Sequence, residues 1–193
     1  ERVEQRFITP ENKPAGVELD QDKDGDLDQD DVKLARKAVD VAMKSWERGQ
    51  PKPKPVVLSV FVRKDGDAVS AVAMPLAGQG LWGPISGYLA LDPTATTVTG
   101  ATFAAPKETP GLGAEIMASK FVDQWKGKTL KSGAAPAPIR VVKGEAANLC
   151  PDNIQLCVDG VAGATITSRG VDAMVATAVE HYDAYLKNPK GAF

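Results

Sequence analysis

The sequence has few of the residues that build common functional sites. A single histidine among 193 residues argues against a His-rich zinc centre and leaves little material for a catalytic triad based on histidine. No apolar run reaches the length of a transmembrane helix. A formal net charge of −2 gives no reason to expect nucleic acid as a partner. With 43% apolar and 25% charged residues, the composition is that of an ordinary globular domain, with or without a small appendage.

The chain contains only two cysteines, Cys150 and Cys157, in the stretch CPDNIQLC. Their spacing permits a small disulfide loop and does not match the CxxC spacing of redox or zinc motifs. A disulfide would fit an extracytoplasmic location, whereas two free thiols would be equally compatible with the cytosol. Of the two states, we favour the disulfide.

Hydrophobic patterning predicts an α+β fold with a mostly antiparallel sheet built from hairpins and flanking helices. Two β-rich runs flank the turn residues Asp65 and Gly66, which is a strong hairpin signal. Two further strands are predicted near residues 85–91 and 97–104, around a turn that contains proline. A short fifth strand is predicted in APIRVVKG, residues 137–144.

Apolar residues at helical spacing predict helices over residues 30–48, 114–126 and 167–187. The first helix should end at the proline-rich stretch GQPKPKP, because proline cannot continue a helix. The chain is therefore predicted to comprise an N-terminal arm, residues 1–50, and a main domain, residues 51–193.

The arm contains an acidic stretch, DQDKDGDLDQDD, which has the ligand spacing of an EF-hand-like calcium loop at residues 20–31. So many like charges repel one another unless a cation neutralises them. The twelfth position is Asp rather than Glu, and Pro14 and Gly16 disfavour an entering helix. We expect Ca²⁺ or Mg²⁺ to bind here in a structural role, the alternative being a solvated acidic linker. The predicted ligands are Asp20, Asp22, Asp24, Asp26, Asp28 and Asp31.

A second unusual stretch, DGVAGATITSRGV at residues 159–171, places three hydroxyl groups among small residues just before a predicted helix. Small residues let a ligand approach the backbone, and free N–H groups at a helix N-terminus attract anions. The stretch therefore predicts a phosphorylated ligand. The alternative is that Thr167 or Ser168 only caps the helix.

The sequence contains three notable stretches: DGVAGAT at residues 159–165, ETPGLGAEI at 108–116 and GQGLWGPISGYLALDP at 78–93. Together they resemble the FMN-binding subunits of sodium-translocating NADH:quinone oxidoreductase and Rnf complexes. DGVAGAT resembles the pattern Asp-Gly-x-Ser/Thr-Gly-Ala-Thr, in which a flavin transferase esterifies the FMN phosphate onto the final threonine, here Thr165. ETPGLGAEI, residues 108–116, is similar to a signature of both complexes. GQGLWGPISGYLALDP, residues 78–93, is similar to a segment of the C-subunit family. Ala162 stands where the pattern has Ser or Thr. The missing hydroxyl could remove one hydrogen bond or lower the efficiency of flavin attachment.

The resemblance implies an extracytoplasmic domain, attached to the cytoplasmic membrane, that carries covalent FMN and passes electrons within a redox complex. It implies no turnover by the isolated domain and no catalytic residue in this chain. The implied partners are the membrane subunits of the complex, a flavin transferase and an N-terminal membrane anchor outside this chain. The acidic loop is not part of the family pattern.

The resemblance and the local chemistry together assign roles to residues of the three stretches. Leu81 and Trp82 are expected to pack on the isoalloxazine face, and Glu108 with Thr109 to hydrogen-bond the ring edge. Hydroxyl groups near the helix start are expected to donate to the phosphate. The residues assigned to FMN are Leu81, Trp82, Glu108, Thr109, Gly111, Leu112, Asp159, Gly163, Ala164, Thr165, Thr167 and Ser168.

Three other functions compete with this interpretation. An Rnf-type G subunit would share two of the three stretches, and GQGLW favours the C-subunit family over it. A calcium-binding interaction module without flavin would use the acidic loop for partner docking. A secreted flavoprotein reductase would need its own donor site, and the sequence shows no dinucleotide fingerprint.

Overall fold

Five strands form one antiparallel sheet in the order in which they occur along the chain. The computed structural model describes residues 2–13 and 57–192. This sheet and the helices packed on it confirm the predicted α+β class. Its strands are β1 (Arg2–Ile8), β2 (Leu58–Asp65), β3 (Ala68–Gln79), β4 (Pro84–Leu91) and β5 (Val98–Ala104).

The two predicted hairpins form where the turn residues indicated. Asp65 and Gly66 connect β2 to β3, and Gly66 has a φ of 61°, a left-handed conformation that glycine adopts without strain. In the second turn, Asp92 Oδ1 accepts hydrogen bonds from the backbone N–H groups of Thr96 and Thr97, at 2.8 and 3.1 Å. Local chemistry therefore fixes both connections.

One long helix packs against the sheet and carries its buried side chains toward β3. The helices of the described ranges are α1 (Ser119–Val122), α2 (Ala146–Leu149), α3 (Thr165–His181) and α4 (Asp183–Lys187). The long one, α3, buries Val171, Met174 and Val175 in the same core as the apolar residues of the strands. The predicted helix 167–187 starts two residues earlier and is interrupted at Tyr182, whose buried hydroxyl donates to the Ser59 carbonyl at 2.7 Å.

The single helix predicted over residues 114–126 is wrong. The chain instead forms a 3₁₀ turn at Gly113–Met117, the short helix α1 and a second 3₁₀ turn at Asp123–Trp125. Ala118 between them is extended, with φ −74° and ψ 147°. The break turns the chain so that Phe121 and Trp125 pack on Phe103 of β5, with ring centroids 5.6 and 5.2 Å away. Aromatic packing thus replaces a regular helix here.

The remaining strands lie apart from the main sheet. A two-stranded hairpin consists of β6 (Lys131–Ser132) and β7 (Ala135–Pro136). The short strand predicted in residues 137–144 exists as β8 (Arg140–Val142), and it pairs in parallel with β9 (Cys157–Asp159), which the sequence did not indicate. Cys150 and Cys157 form the favoured disulfide, so it closes the loop before β9. The remaining 3₁₀ turns are Pro151–Leu156 and Pro189–Ala192.

Two predictions concern residues 14–56, which lie outside the described residues. They are the acidic loop with its six aspartates and the helix over residues 30–48. The boundary at residues 50 and 51 also stays a prediction, although β1, from the predicted arm, pairs with β2. Within the described ranges, no helix has the length and hydropathy to cross a bilayer. In the same ranges, no three His, Cys, Asp or Glu side chains are grouped to hold a metal ion.

Candidate functional site

Thr165 is the first residue of helix α3, and the chain reaches it through a tight turn. The Gly160 N–H donates to the Val142 carbonyl at 2.8 Å, which ends the β9 pairing. Gly163 then takes a left-handed φ of 76°, and Ala164 is the N-cap residue without a side-chain cap. The alternative prediction, that Thr167 or Ser168 caps the helix, is wrong because both residues lie inside it. The first-turn N–H groups of α3 are consequently available to a ligand.

Glu108 joins the three stretches that the sequence singled out. Its side chain is 6% exposed. Oε1 accepts a hydrogen bond from the Trp82 N–H at 2.7 Å, and Oε2 accepts one from Thr167 Oγ1 at 2.5 Å. The backbone N–H groups of Leu81 and Gly83 also help to lower the pKa of this carboxylate. One buried side chain therefore holds the loop after β3 and the start of α3 together.

Two opposing influences set the charge of Glu108. The larger single one is burial, which raises its pKa by disfavouring the ionised form. Hydrogen bonds from Thr167 and from the backbone of residues 81–83 lower it, and together they outweigh burial. The net result is a pKa below the ordinary value, so Glu108 is ionised at neutral pH.

Close packing around this carboxylate explains why residue 113, in the stretch ETPGLGAEI, is glycine. A Cβ at Gly113 would overlap the Glu108 carboxylate and would lie 2.6 Å from Thr167 Oγ1. A side chain at Gly170 would overlap the Gln79 carbonyl at the end of β3. Residues without a side chain at these positions let α3 and the Glu108 turn approach the sheet.

Apolar side chains stand exposed on the three segments that the contacts of Glu108 and of the turn before α3 connect. We call Leu81, Trp82, Leu112 and Ile166 the apolar rim; Trp82 is 65% exposed and the other three are 43% to 55% exposed. A Cβ at Gly163 would be 2.9 Å from Leu112 Cδ2, so the stretch ETPGLGAEI lies directly against the turn before α3. Ile166 was not predicted as a site residue, because a single apolar residue in a helix carries no signal for a ligand.

Thr165 also lines a groove of 1240 Å³. Its walls come from the segment between Gly111 and Gln124, the segment from Arg140 to Glu145, and the residues around the start of α3. The apolar rim is not part of this lining. The cationic side chains of the groove are Lys120, Arg140, Lys143 and Arg169.

Several residues predicted to contact FMN make hydrogen bonds within the protein. Both oxygens of Glu108 are engaged, and the hydroxyl of Thr167 donates to one of them. Ser168 Oγ accepts from the Val161 N–H at 3.0 Å. The Asp159 carboxylate accepts from the Ala146 N–H at 2.7 Å. These four residues therefore shape the site through internal hydrogen bonds, and their contacts with FMN stay predictions.

The remaining predicted residues lie where a ligand could reach them. Thr165 is partly buried, and its hydroxyl forms no hydrogen bond with the residues that the structure describes. Thr109 and Gly111 are exposed in the turn after Glu108. The structure thus gathers the three stretches around one free hydroxyl group.

Comparison with known proteins agrees with this arrangement. The model of the FMN-binding domain family matches residues 80–180. The C subunit of the Na(+)-translocating NADH-quinone reductase from Yersinia pestis is 42% identical over 116 residues, which are 60% of this chain and 42% of that protein. Its counterpart from Pseudomonas aeruginosa is 34% identical over 134 residues, 67% of this chain and 50% of that protein. The chain thus spans half or less of the length of these curated relatives.

Two crystal structures are similar over most of the chain. The C subunit of this reductase from Parabacteroides distasonis has a TM-score of 0.67 and 30% identity, covering 96% of this chain and 78% of that one. NqrC from Shewanella oneidensis has a TM-score of 0.71 and 26% identity, covering 98% and 85%.

The fold, the assembled motifs and the family match define the class of protein: this chain belongs to the FMN-binding domain family. Within that family it is similar to the C subunit of the Na(+)-translocating NADH-quinone reductase. The resemblance inferred from the three stretches is thereby confirmed.

Proposed function

We propose that this chain is an extracytoplasmic electron-carrying domain of a membrane complex like the Na⁺-translocating NADH:quinone reductase, with FMN joined through its phosphate to Thr165. The observation that carries the proposal is the position of this threonine. Its free hydroxyl stands at the uncapped start of α3, between the apolar rim and the groove. When bound, FMN supplies reversible electron transfer.

The residues around Thr165 fit a phosphate. Helix α3 has 17 residues, and no side chain in the described part of the chain caps its N-terminus. The positive end of the helix dipole and the first-turn N–H groups therefore face the position that a phosphoester on Thr165 would occupy. Ala162 is exposed and has no hydroxyl group that could donate a hydrogen bond to this phosphate.

The apolar rim fits the isoalloxazine ring. An exposed cluster of large apolar side chains on a monomeric domain marks a surface that binds something. A flat, apolar ring tethered at Thr165 would cover Trp82 and the neighbouring leucines, Leu81 and Leu112. Glu108 contributes by holding the backbone of residues 81–83 in place.

Attachment requires a separate flavin transferase. A threonine hydroxyl is a poor nucleophile without a general base. The single histidine, His181, ends helix α3, so it lies about 24 Å along the helix axis from Thr165. Asp159 is already bonded to the Ala146 N–H. Nothing in the described part of the chain would therefore activate Thr165, and we infer that it is the substrate of another enzyme.

The disulfide supports the extracytoplasmic location, because such bonds persist in oxidising compartments. The membrane subunits of the redox complex would be the electron partners, and a membrane anchor outside this chain would hold the domain near them. We keep the acidic loop at residues 20–31 as a predicted structural Ca²⁺ or Mg²⁺ site. Its role in the complex would be to hold the arm, separately from electron transfer.

The test is the intact mass of the protein after co-production with a flavin transferase and export. We expect a gain of one FMN minus water, with yellow colour that survives denaturation. Thr165→Ala should abolish both, and Thr102→Ala, which changes an exposed threonine on β5, should leave both unchanged. An unmodified mass for the wild type beside an active transferase would refute covalent attachment.

A further inference from the structure

We propose that Arg169 is a positioning residue that pairs with the phosphodiester linking FMN to Thr165 and limits the motion of the tethered flavin. This inference rests on the proposed attachment at Thr165. It concerns a side chain that neither the three stretches nor the family pattern singles out.

The helix places Arg169 beside the attachment point. Arg169 follows Thr165 by four residues in α3, and side chains at this spacing lie on the same helix face with Cβ atoms about 5 to 6 Å apart. Both residues line the same groove. The flexible arginine stem is long enough to bring its guanidinium to an oxygen attached at Thr165 Oγ1.

Two arginines line the groove, and of these Arg169 is the one available for a new partner. The other one, Arg140, forms a two-point ion pair with Asp172, at 2.8 and 3.0 Å. The same carboxylate accepts from the Val141 N–H at 2.9 Å, so this pair is built into the β8 edge. Arg169 is exposed and makes no ion pair or hydrogen bond through its guanidinium within the described ranges.

The chemistry of the two groups matches. A phosphodiester keeps one negative charge at all physiological pH values, and a guanidinium stays protonated there. The planar fork of arginine donates two parallel hydrogen bonds to phosphate oxygens, which a lysine does not do. Lys120 and Lys143 also line the groove, but they come from other segments and not from the turn of α3 next to Thr165.

A phosphodiester that is paired with Arg169 would rotate less freely, so the flavin attached to it would move over a smaller range. Since the pair is near the surface, we expect a modest effect: loss of Arg169 should raise the ratio of mobile to docked flavin about two- to fivefold. Salt should weaken the pair in the wild type, because exposed charges are screened.

The test compares the wild type with Arg169→Gln, Arg169→Lys and the matched groove variant Lys120→Gln, each co-produced with a flavin transferase. Intact mass gives the flavin load. Time-resolved fluorescence anisotropy of the bound flavin gives its mobile fraction, and the ³¹P chemical shift of the diester is followed from low to high salt. We expect equal loading in all four proteins, with a larger mobile fraction and a salt-insensitive ³¹P shift only in Arg169→Gln. Arg169→Lys should be intermediate.

Each other outcome has a distinct meaning. Equal mobility and equal ³¹P behaviour in Arg169→Gln and the wild type would overturn the pairing. The same change in Lys120→Gln would show a general charge effect and would also overturn it. Loss of flavin from Arg169→Gln alone would assign the residue to attachment instead of positioning. An unmodified wild type would refute the proposed function itself, and the inference with it.

Discussion

The five-stranded sheet and the segment that follows it share one apolar core but differ in regularity and in their other interactions. The sheet buries fully enclosed apolar side chains such as Met74, Leu76 and Leu89 against α3. The next part of the chain, residues 105–164, which we call the linking segment, contains no helix or strand longer than six residues. It buries side chains such as Trp125 and Leu130 in the same core. It is held in addition by individual bonds, such as those of Glu108, the Asp159–Ala146 hydrogen bond and the disulfide.

This difference explains why the candidate site lies at the end of the linking segment. Apolar burial is non-directional and covers the side chains that it stabilises. Hydrogen bonds and disulfides require particular distances and angles, so they can hold accessible groups, such as the partly buried Thr165 and the exposed Trp82, in place without covering them. A site needs uncovered groups at fixed positions, and hydrogen bonds and the disulfide provide such support at the surface.

The largest effect should come from the sheet. Leu89→Ala removes a fully buried side chain from β4 and leaves a cavity, so we expect the free energy of unfolding to fall by about 2 to 5 kcal/mol. Urea denaturation monitored by circular dichroism measures this loss. The control is Thr102→Ala on the exposed side of β5, which should change stability by no more than about 0.5 kcal/mol. Equal losses of unfolding free energy in both variants would contradict the conclusion that buried apolar side chains stabilise the sheet.

The sheet was largely predictable because its signals are local. Alternating apolar residues and the turn at Asp65 and Gly66 lie next to each other in the sequence. Strand β1 was missed, since the stretch RVEQRFI has charged residues on an edge strand and depends on pairing with β2, more than fifty residues away.

The linking segment was less predictable because its contacts are distant in sequence. The motif identified Glu108, but its partner Thr167 is 59 residues away, so a buried bond between them was not predictable from either stretch. The segment 114–126 was predicted as one helix, whereas in the structure it is broken and Phe121 and Trp125 pack on Phe103.

The disulfide should have the next largest effect. Replacing Cys150 and Cys157 by serine removes a constraint on a short loop, and we expect a loss of about 2 to 3 kcal/mol. Because Cys157 begins β9, which leads directly to Asp159 and the Thr165 turn, the loss should be local. Hydrogen exchange should accelerate more in residues 140–164 than in the sheet. Uniform acceleration across the whole domain would show that the linking segment does not open separately.

Glu108→Gln tests the polar support of the site directly. The amide retains one oxygen acceptor but presents an NH₂ group to donors, so at least one of the contacts with Thr167 and the backbone of residues 81–83 must be lost. We expect a loss of about 2 kcal/mol and a quenched, more exposed Trp82 fluorescence. Thr109→Val, an exposed neighbour in the same turn, is the control and should leave both signals unchanged.

The same variant gives a pH dependence whose sign follows from the lowered pKa of Glu108. Its hydrogen bonds favour the ionised form in the folded state, so the unfolded state takes up a proton first as the pH falls. The stability that ionisation provides is complete above the ordinary value of 4.5 and is lost as the pH falls from there through the folded-state pKa. The stability difference between the wild type and Glu108→Gln should therefore stay constant near neutral pH and shrink below about pH 4.5. Subtracting the variant cancels the other carboxylates, such as Asp92, whose pKa is also lowered. A difference that grew on acidification would mean that burial dominates and that Glu108 is held protonated, which would remove the charge from the centre of the site.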